Sequence, residues 1–594
     1  MEWAPIAALY LDAGLGISLL IGAAAFVVMR LYTRAVMRES ERAAAAAGSE
    51  GRPAPAARAS LPAAGPLEIA IEALDNELPR APRSETFRHA DRAFRRAAGC
   101  YAIAGATHAA SSTALLFYFG FYSPPRTASP LIVWACYAAV FWAWFFAAFF
   151  ALGLFYGPHR RVRVLLVAVY IAMLPLLGVL LLLAGAPRLA FNDIPMVPPD
   201  IAPVMLAFAR SVTGEAVTGE NVSFSPLTQP TFFFTLSAMP FLIPVIAYNR
   251  FIRGTVGPLF ITFALLMILG PFVVLDLVIV TVPRSTIKGL FGDAPFRPVM
   301  AICFIAAVVL AAFVVRWIVG QYRQKKLSDQ TFLYDALWLS VSVWVCVYLM
   351  GNVPRFVYLI GFLPFVLYKL VLWLGLRHFV SSGQPLPNAR LLFLRVFGAA
   401  RRSEKLFDLL AARWRYAGSV QLISSGDIAR SRFEPDEFLD FIAGRLKTRY
   451  IENSADLAQR LAEIESGPDP DGRYRVHEFF CRADAWQQTV TELMRRTELV
   501  AMDLRGFTSE RRGCIFELGA LIDHLPLERV VLLIDQTTDL ALLRQTLQSL
   551  WAGMAPASPN RHVAAARVRL IDLTRSYPRA VRRLMQIGDA ALAG

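Results

Sequence analysis

Charge and cysteine are both scarce in this sequence. Only 18% of its 594 residues are charged, against 56% hydrophobic residues and a mean hydropathy of +0.47. This balance excludes an ordinary soluble protein and indicates a polytopic membrane protein with a soluble part. The six cysteines are scattered and form no C-x-x-C pair, so we expect neither a disulfide framework nor a metal site. The N-terminal stretch MEWAPIAALY lacks a basic region, so we do not interpret it as a secretory signal.

Long hydrophobic runs, by contrast, are abundant. A helix that crosses the hydrocarbon core of a bilayer needs about 20 apolar residues. Runs of this length predict nine transmembrane helices, at roughly 6–29, 100–122, 130–156, 164–186, 231–249, 257–282, 298–318, 332–350 and 355–376. The lipid bilayer is therefore the first partner that the sequence predicts.

The charges between these runs predict an orientation. Basic residues, nearly all of them arginine, give the chain a net charge of +15. A patch for nucleic acid is one interpretation of this excess, and the collection of positive charge on cytoplasmic loops is the other. The second is favoured because basic and charge-poor connections alternate along the chain, except at 283–297. We expect a plasma (bacterial inner) membrane protein with its N-terminus outside, a cytoplasmic C-terminal domain and no nucleic-acid partner.

Composition divides the chain into five parts. We expect a first transmembrane helix at 1–32, an Ala/Pro/Arg-rich cytoplasmic linker at 33–97, an eight-span membrane domain at 98–377, a tether at 378–389 and an α/β domain at 390–594. Within the linker, residues 38–65 have the composition of a disordered segment. Residues 66–97 are at most amphipathic, and we expect them to lie on the inner membrane surface.

The C-terminal domain alternates apolar runs of strand length with amphipathic helical patterns. Near-continuous apolar strands between helices predict a parallel sheet that is covered on both faces. Ligands of such sheets bind beyond the carboxyl ends of the strands. This rule selects the loops at 398–403, 424–427, 482–486 and 503–509. Their candidate ligand-binding residues are Gly398, Arg401, Arg402, Ser403, Ser424, Asp427, Trp486 and Arg505.

A helix near the C-terminus carries one glutamate at the edge of its apolar stripe. Around Glu517, the positions three and four residues away hold Gly513, Cys514, Ala520 and Leu521, so the helix offers it no ion pair. Gly513 is expected to leave space above the carboxylate and to belong to the ligand-binding site. Such a carboxylate suits ligand hydroxyls or a developing oxocarbenium charge. The alternative is a boundary glutamate that is bonded to a loop amide or an arginine.

The stretch ELVAMDLRGFTSERRGCIFELGALI, residues 498–522, resembles two flavodoxin-like families. One is the Toll/interleukin-receptor (TIR) domain, in which a strand and loop lead to a helix with a W-C-x-x-E-L pattern. The other is the nucleoside deoxyribosyltransferase-like group, in which an aspartate ends the strand and a G-x-x-x-E-x-G pattern follows. The matching residues are Cys514, Glu517 and Leu518 for the first family and Asp503, Gly513, Glu517 and Gly519 for the second.

The resemblance implies a flavodoxin-like fold and cleavage of an N-glycosidic bond. Glu517 would be the catalytic carboxylate, and Asp503 would hold a ribose hydroxyl or orient a partner. NAD or a nucleoside would be the substrate, and no cofactor is implied. Arg401 and Arg402 would bind phosphate groups at a helix start, and Trp486 would stack on a base. The alternatives are a solvated helix start for the two arginines and core packing for Trp486.

The predicted spans contain charged, polar and helix-breaking residues that are unusual inside a membrane. Asp12 and Asp276 are carboxylates at a depth where charge is costly. The Gly-Pro pair at 270–271 interrupts an apolar pattern, as in transporters with broken helices. Lys369 is expected to extend along its helix toward the membrane surface, and His108 to make an interhelical hydrogen bond.

Three functions therefore remain open at this point. The first is a membrane-anchored signalling or effector protein that cleaves the N-glycosidic bond of NAD or a nucleotide. The second is a non-catalytic scaffold or sensor, whose α/β domain binds a partner or nucleotide and self-associates. The third is a transporter with a regulatory domain.

Overall fold

The computed structural model describes twelve stretches of the chain and a few single residues. The stretches are 66–72, 84–120, 256–291, 296–350, 356–380, 388–395, 400–424, 449–464, 467–482, 485–563, 565–574 and 576–593. Contacts divide the chain into two compact units. Residues 1–28 and 98–377 form the helical unit, and residues 29–97 and 378–594 form the sheet unit.

The helical unit contains six described α-helices. They are α1 (Glu85–Gly120, from Ala98 onward), α2 (Val256–Thr281), α3 (Arg284–Phe291), α4 (Phe296–Arg323), α5 (Asp329–Met350) and α6 (Leu363–Gly375). A 3₁₀ turn at Val357–Phe362 precedes α6, and a π-helical turn at Leu376–Val380 follows it.

Three described helices are long and apolar enough to cross a membrane: Gly257–Thr281, Pro298–Arg323 and Val357–Val380. They coincide with the spans predicted at 257–282, 298–318 and 355–376. The spans predicted at 100–122 and 332–350 lie on α1 and α5, which are helical but do not belong to this set. The spans predicted at 6–29, 130–156, 164–186 and 231–249 lie outside the described residues. The described part of the chain thus supports three candidate spans, not nine.

Small residues bring α2 and α4 together. A Cβ added to Gly270 of α2 would lie 3.1 Å from the Cβ of Ala307 in α4, and Ala307 and Ala311 pack with Met267. Such close approach is typical of helix pairs in membranes. α2 runs without a break through Pro271, so the interruption predicted at 270–271 is wrong. A packed neighbour holds an apolar helix together across a proline, even though the proline removes one backbone hydrogen bond.

One of the predictions about polar residues in the predicted spans has a clear outcome. His108 Nε2 lies 2.9 Å from Ser342 Oγ of α5, which confirms the predicted interhelical bond. Lys369 Nζ lies 2.7 Å from Asp335 Oδ2 of α5, and its extension toward the membrane surface stays a prediction. Asp276 is buried within α2, whereas Asp12 lies outside the described residues.

The sheet unit is built on eight parallel strands. They are β1 (Leu67–Glu72), β2 (Leu391–Arg395), β3 (Val420–Ser424), β4 (Tyr450–Ile451), β5 (Val476–Cys481), β6 (Leu499–Asp503), β7 (Val530–Ile534) and β8 (Ala566–Asp572). Their order across the sheet is β1-β8-β7-β6-β2-β3-β5-β4. The described helices after residue 390 are α7 (Ala400–Trp414), α8 (Ser454–Glu463), α9 (Trp486–Arg495), α10 (Arg512–His524), α11 (Leu540–Ala552) and α12 (Tyr577–Ala593). The parallel α/β architecture predicted for this region is therefore confirmed.

The strand order departs from the expected flavodoxin-like order. Counted along the chain from β2 and without the two-residue β4, the strands follow the order 3-2-1-4-5-6 of doubly wound dinucleotide-binding folds. A flavodoxin-like sheet has the order 2-1-3-4-5, and here β5 adds a further strand beyond β3. The order reverses between β2 and β6, which therefore form the topological switch point of the sheet.

The helices divide between the two faces of the sheet. Leu392, Leu394, Val500 and Met502 face the core that contains the buried residues of α8, α9, α10 and α11. The alternate residues face α7 and α12: the ring of Phe393 packs on Phe407 of α7 at 5.4 Å. On the same face, a Cβ at Gly588 of α12 would meet both Trp414 of α7 and Leu499 of β6. Both faces are covered, as predicted.

The segment predicted as linker and membrane-surface stretch, 66–97, contributes instead to the sheet unit. Residues Leu67–Glu72 form the edge strand β1, which pairs with β8. At the start of α1, the Ser84 backbone N–H donates to Asp589 Oδ1 of α12 at 2.8 Å, and the Ser84 hydroxyl bonds the same oxygen. The alternation in LEIAIE is compatible with a strand. Its partner lies about 500 residues further along the chain, however, so no local pattern reveals the pairing.

Candidate functional site

The carboxyl ends of β2 and β6 bring two charged residues together at the switch point. Arg395 is the last residue of β2, and the parallel register pairs it with Asp503, the last residue of β6. Both are buried, and both point to the face covered by α7 and α12. Sequence analysis missed Arg395. The available signal was a basic residue that ends an otherwise apolar strand, LLFLR.

The carboxylate of Asp503 is occupied by an arginine of its own loop. Arg505 Nε donates to Asp503 Oδ1 at 2.8 Å and Nη2 donates to Oδ2 at 2.6 Å. Arg505 Nη1 also donates to the Tyr577 hydroxyl at the start of α12, at 2.7 Å, and the guanidinium lies over the Tyr577 ring. Both oxygens of Asp503 already accept hydrogen bonds from Arg505. This occupation does not support the predicted role of Asp503 toward a ribose hydroxyl. Arg505, predicted to bind ligand, is engaged in this buried pair.

Three neighbouring strands end in the same local structure. Asp503 accepts a hydrogen bond from the backbone N–H of Arg505, Asp535 from that of Thr537, and Asp572 from that of Thr574. In each case the acceptor aspartate ends a strand or directly follows one, and the donor lies two residues later. These turns fix the chain as it leaves β6, β7 and β8 and give this edge of the sheet an ordered backbone.

Glu517 lies in the second turn of α10, and it is more deeply buried than the sequence predicted. It is 2% exposed, and its Oε2 has no hydrogen-bond partner within the described part of the chain. Because α10 is flanked by both α9 and α11, it buries a wider arc than one apolar stripe. Burial raises the pKa of Glu517 to about 8.

Trp486, the first residue of α9, lies beside Gly513. A Cβ added to Gly513 would lie 3.7 Å from Cη2 of Trp486, an ordinary contact. The Trp486 ring also packs edge-on against Phe516 at 5.2 Å. The space that we expect Gly513 to leave above Glu517 stays a prediction. The role of Trp486 in stacking on a base stays a prediction.

Cys514 lies one turn before Glu517 on the same helix. Burial, followed by the neighbouring charge of Glu517, raises the pKa of its thiol to about 12. A thiol with this pKa is almost fully protonated at neutral pH, and the thiolate is the reactive form. Cys514 is thus a buried helical thiol, and its raised pKa disfavours the reactive thiolate.

Glu517 and Asp503 belong to opposite faces of the sheet. α10 covers the face of Val500 and Met502, whereas Asp503 points to the face of α7 and α12, where Arg505 meets Tyr577. The two residues that the resemblance assigns to one catalytic site are therefore separated by the sheet itself. Successive side chains of a strand point to opposite faces of the sheet. Asp503 therefore lies on the face opposite Met502, and α10 covers the face of Met502.

A groove of about 480 Å³ lies between α8 and α9, on the face of Glu517. Its walls include Leu457 and Leu461 of α8, Thr491 and Arg495 of α9, and Phe516 of α10, but not Glu517 itself. The groove therefore runs beside the buried carboxylate without reaching it.

The remaining predicted residues have varied positions. Arg401, Arg402 and Ser403 lie in the first turn of α7, directly after the chain leaves β2 at the switch point, and Ser424 ends β3. Gly398 and Asp427 lie outside the described residues. The structure thus places the start of α7 and the ends of β2 and β6 at one edge. Among the described residues, no three His, Cys, Asp or Glu side chains converge on a metal position.

Comparisons with known proteins add no assignment. No family model, no curated protein and no solved structure matches the chain. The resemblance to TIR and nucleoside deoxyribosyltransferase-like domains therefore stays a prediction.

Proposed function

We propose that this chain is a membrane-anchored signalling protein whose sheet unit binds a nucleotide at the switch point between β2 and β6. The observation that carries the proposal is the strand order 3-2-1-4-5-6. In sheets of this order, ligands bind in the crevice outside the carboxyl ends of the two strands where the order reverses. Nucleotides with a pyrophosphate group are the ligands for which this crevice is best known.

The charges at this edge support an anionic ligand. Arg395 at the end of β2 and Arg505 just after β6 are both buried there, and Arg505 is paired with Asp503. The first turn of α7 adds Arg401 and Arg402 to backbone N–H groups that point out of the helix start. Arginine and helix N-termini are both favourable partners of phosphate groups.

The membrane part of the proposal keeps the predicted topology. The chain would cross the inner membrane nine times, with its N-terminus outside and the sheet unit in the cytoplasm. The three apolar helices support membrane association. In this arrangement the sheet unit would receive a cytoplasmic ligand and pass the signal on through self-association or a bound protein.

Binding to the full-length protein tests the nucleotide proposal. The chain in detergent micelles would be titrated calorimetrically with NAD and ATP, because a fragment that starts near 385 would lack β1. We expect Arg401→Ala/Arg402→Ala to weaken binding by roughly tenfold or more, since a hydrogen bond to a charged group contributes about 1.5–3 kcal/mol. Arg413→Ala, at the other end of the same helix, is the matched control. Failure of the wild type to bind either nucleotide saturably would refute the proposal.

Cleavage of an N-glycosidic bond is a second candidate function, favoured by Glu517. A buried carboxyl with an oxygen that lacks a partner is unusual and is often found at functional sites. At neutral pH its raised pKa favours the protonated form, so it would act first as an acid or a hydrogen-bond donor. Trp486 of α9 lies beside Gly513, one turn before Glu517, and would have to give way to a substrate that enters from that side.

The second candidate has its own assay. Full-length protein would be incubated with NAD and with nucleosides, alone and after crosslinking into clusters, and the free base would be quantified. We expect release by the wild type and none by Glu517→Ala. If the wild type releases no base in either state, the glycosidase function is rejected. Nucleotide binding is decided independently, by the calorimetric titration.

A further inference from the structure

The strand β1 lies at one edge of the described sheet. It pairs with β8 on one side, and no described strand pairs with its other side. With six residues, β1 has the length of an ordinary strand, whereas β4 at the opposite edge has only two. Very short edge strands are one device that keeps a sheet from adding further strands. That device protects the edge at β4 and not the edge at β1.

The backbone of β1 alternates between β8 and the open side. The C=O of Pro66 accepts a hydrogen bond from the N–H of Ala566 at 3.2 Å, so every second residue from Pro66 onward directs its backbone groups to β8. The residues between them, Leu67, Ile69 and Ile71, therefore direct their N–H and C=O groups to the open side. Such a row of groups is a template for one more strand.

The side chains of the same three residues are apolar. Leu67 and Ile69 pack against the core on the face of α11, and Ile71 is 50% exposed. On the other face, Glu68 and Glu72 each have an arginine partner. The strand contains neither lysine nor proline, and it pairs with β8 without a bulge. These devices, which commonly block strand addition, are thus missing from β1.

We propose that β1 pairs with β1 of a second copy of this chain, antiparallel and with Ile69 opposite Ile69. A twofold axis between the two strands then relates the copies, as in most homodimers. Leu67 lies opposite Ile71 of the second copy, so all outward-directed residues form hydrogen-bonded pairs. Each such pair exchanges two N–H···O bonds, which gives about six across the interface. The apolar side chains line up in pairs on one face.

Charge and hydrogen bonding select this register among the symmetric ones. A pairing centred on Glu68 would place the two copies of this glutamate directly opposite each other. A pairing centred on Ala70 would place Glu68 opposite Glu72. Like charges directly opposite each other destabilise a strand pair, and either register would form only about four backbone hydrogen bonds. With Ile69 at the centre, Glu68 lies opposite Ala70, and no two glutamates are directly opposite.

A second copy fits this edge because the strand is complementary to itself. The candidate spans would hold both copies in one membrane, and such tethering raises the effective concentration of two binding surfaces. The pairing would supply the self-association through which the proposed function passes its signal on, and it rests on that function only for this consequence. Since β8 and β7 separate β1 from the switch point, pairing and nucleotide binding use different strands.

Cysteine crosslinking of the full-length protein in liposomes tests the register. In the proposed pair the two Ile69 Cα atoms would lie about 5.5 Å apart, within the range of a disulfide. The two Ile71 residues would lie four positions apart along the strands, or about 13 Å, which is beyond that range. Under mild oxidation we expect Ile69→Cys to form a covalent dimer on denaturing gels. Ile71→Cys and the wild type, which has only the native cysteines, should stay monomeric.

A proline at the open side tests whether the backbone holds the pair. Ile71→Pro removes an N–H that points away from β8 and leaves the ladder to β8 intact. Energy transfer between labelled copies, measured as the protein is diluted with lipid, should show dimerisation weakened by roughly tenfold or more. The matched control Ile71→Val keeps the N–H and should dimerise like the wild type. Urea unfolding would show that Ile71→Pro is folded.

Three results would overturn the proposal. They are a monomeric wild type, crosslinking of Ile71→Cys as readily as of Ile69→Cys, and wild-type dimerisation by folded Ile71→Pro. A monomeric wild type would leave nucleotide binding untouched, because the calorimetric titration measures that binding separately. Conversely, a wild type that dimerises through β1 but binds no nucleotide would refute the proposed function and support this interface.

Discussion

Two buried carboxylates, Asp503 and Glu517, lie on opposite faces of one sheet and have opposite surroundings. Both oxygens of Asp503 accept hydrogen bonds from Arg505, two residues away. Glu517 is equally buried, but one of its oxygens has no partner in the described part of the chain. The difference arises from local structure, since a turn after a strand lets the next arginine fold back, whereas a helix presents Glu517 only to apolar neighbours.

The comparison gives the Asp503–Arg505 pair a structural role and leaves Glu517 as the candidate for chemistry. The Asp503–Arg505 pair holds the end of β6 and the start of α12 together through Tyr577, so its loss should appear as instability. Glu517 contributes no described ion pair or hydrogen bond. Its burial should appear instead as a dependence of stability on pH.

The largest expected effect is that of pH on Glu517. Its folded pKa of about 8 lies above the unfolded value of 4.5, so the folded state holds its proton more tightly. The contribution of Glu517 to stability is therefore fully present below pH 4.5, is lost as pH rises toward 8, and does not change further above it. The difference between the two pKa values corresponds to at most about 5 kcal/mol. Pulse proteolysis of the full-length chain in urea, across this pH range, should show the loss in the wild type and not in Glu517→Gln.

An exposed glutamate controls for the general effect of removing a carboxylate. Glu528→Gln, in the same unit, should retain the wild-type pH dependence. If Glu517→Gln also retains it, the carboxylate is not isolated in the folded protein, and the contrast with Asp503 disappears.

The next effect is that of breaking the pair on the other face. Arg505→Ala leaves Asp503 buried without its cation and should destabilise the sheet unit by roughly 3 kcal/mol or more. The matched variant Arg496→Ala removes an exposed ion pair with Glu492 and should cost less than about 1 kcal/mol. Urea midpoints measured at pH 7 compare the two. Equal midpoints would mean that the buried pair contributes no more than a surface one.

The smallest effect concerns one glycine on each face. A Cβ at Gly588 of α12 would lie 2.6 Å from Trp414, so Gly588→Ala should destabilise by about 1–3 kcal/mol. A Cβ at Gly513 of α10 would meet Trp486 at 3.7 Å, an ordinary contact. Gly513→Ala should be neutral or stabilise by up to about 1 kcal/mol. The melting temperature of Gly588→Ala should therefore fall and that of Gly513→Ala should stay or rise, and a fall in both would show that α10 is packed as tightly as α12.

Local patterns were sufficient for the parallel α/β architecture, because apolar strands between amphipathic helices are visible in the sequence itself. The contact of Trp486 with Gly513 depends on how α9 packs against α10, which the periodicity of neither helix shows.

Long-range pairings account for the other differences. The separation of Glu517 from Asp503 follows from strand alternation, but only after the helices are assigned to faces. The bond of Lys369 to Asp335 joins two helices through side chains 34 residues apart, and each residue alone looks like an ordinary charge near a span. The switch point likewise depends on strand order, which the pattern of individual strands does not contain.

The position of β1 has a consequence for how the protein is made. Leu67 pairs with Ala566, so 498 residues are synthesised between the two. At about 5–20 residues per second, the ribosome needs roughly 25–100 s to produce the partner strand. Throughout this time β1 has no partner strand and is exposed to aggregation. The hydrophobic middle of the chain emerges during the same period. Chaperone dependence during translation should therefore be greater for this chain than for one whose sheet is contiguous in sequence.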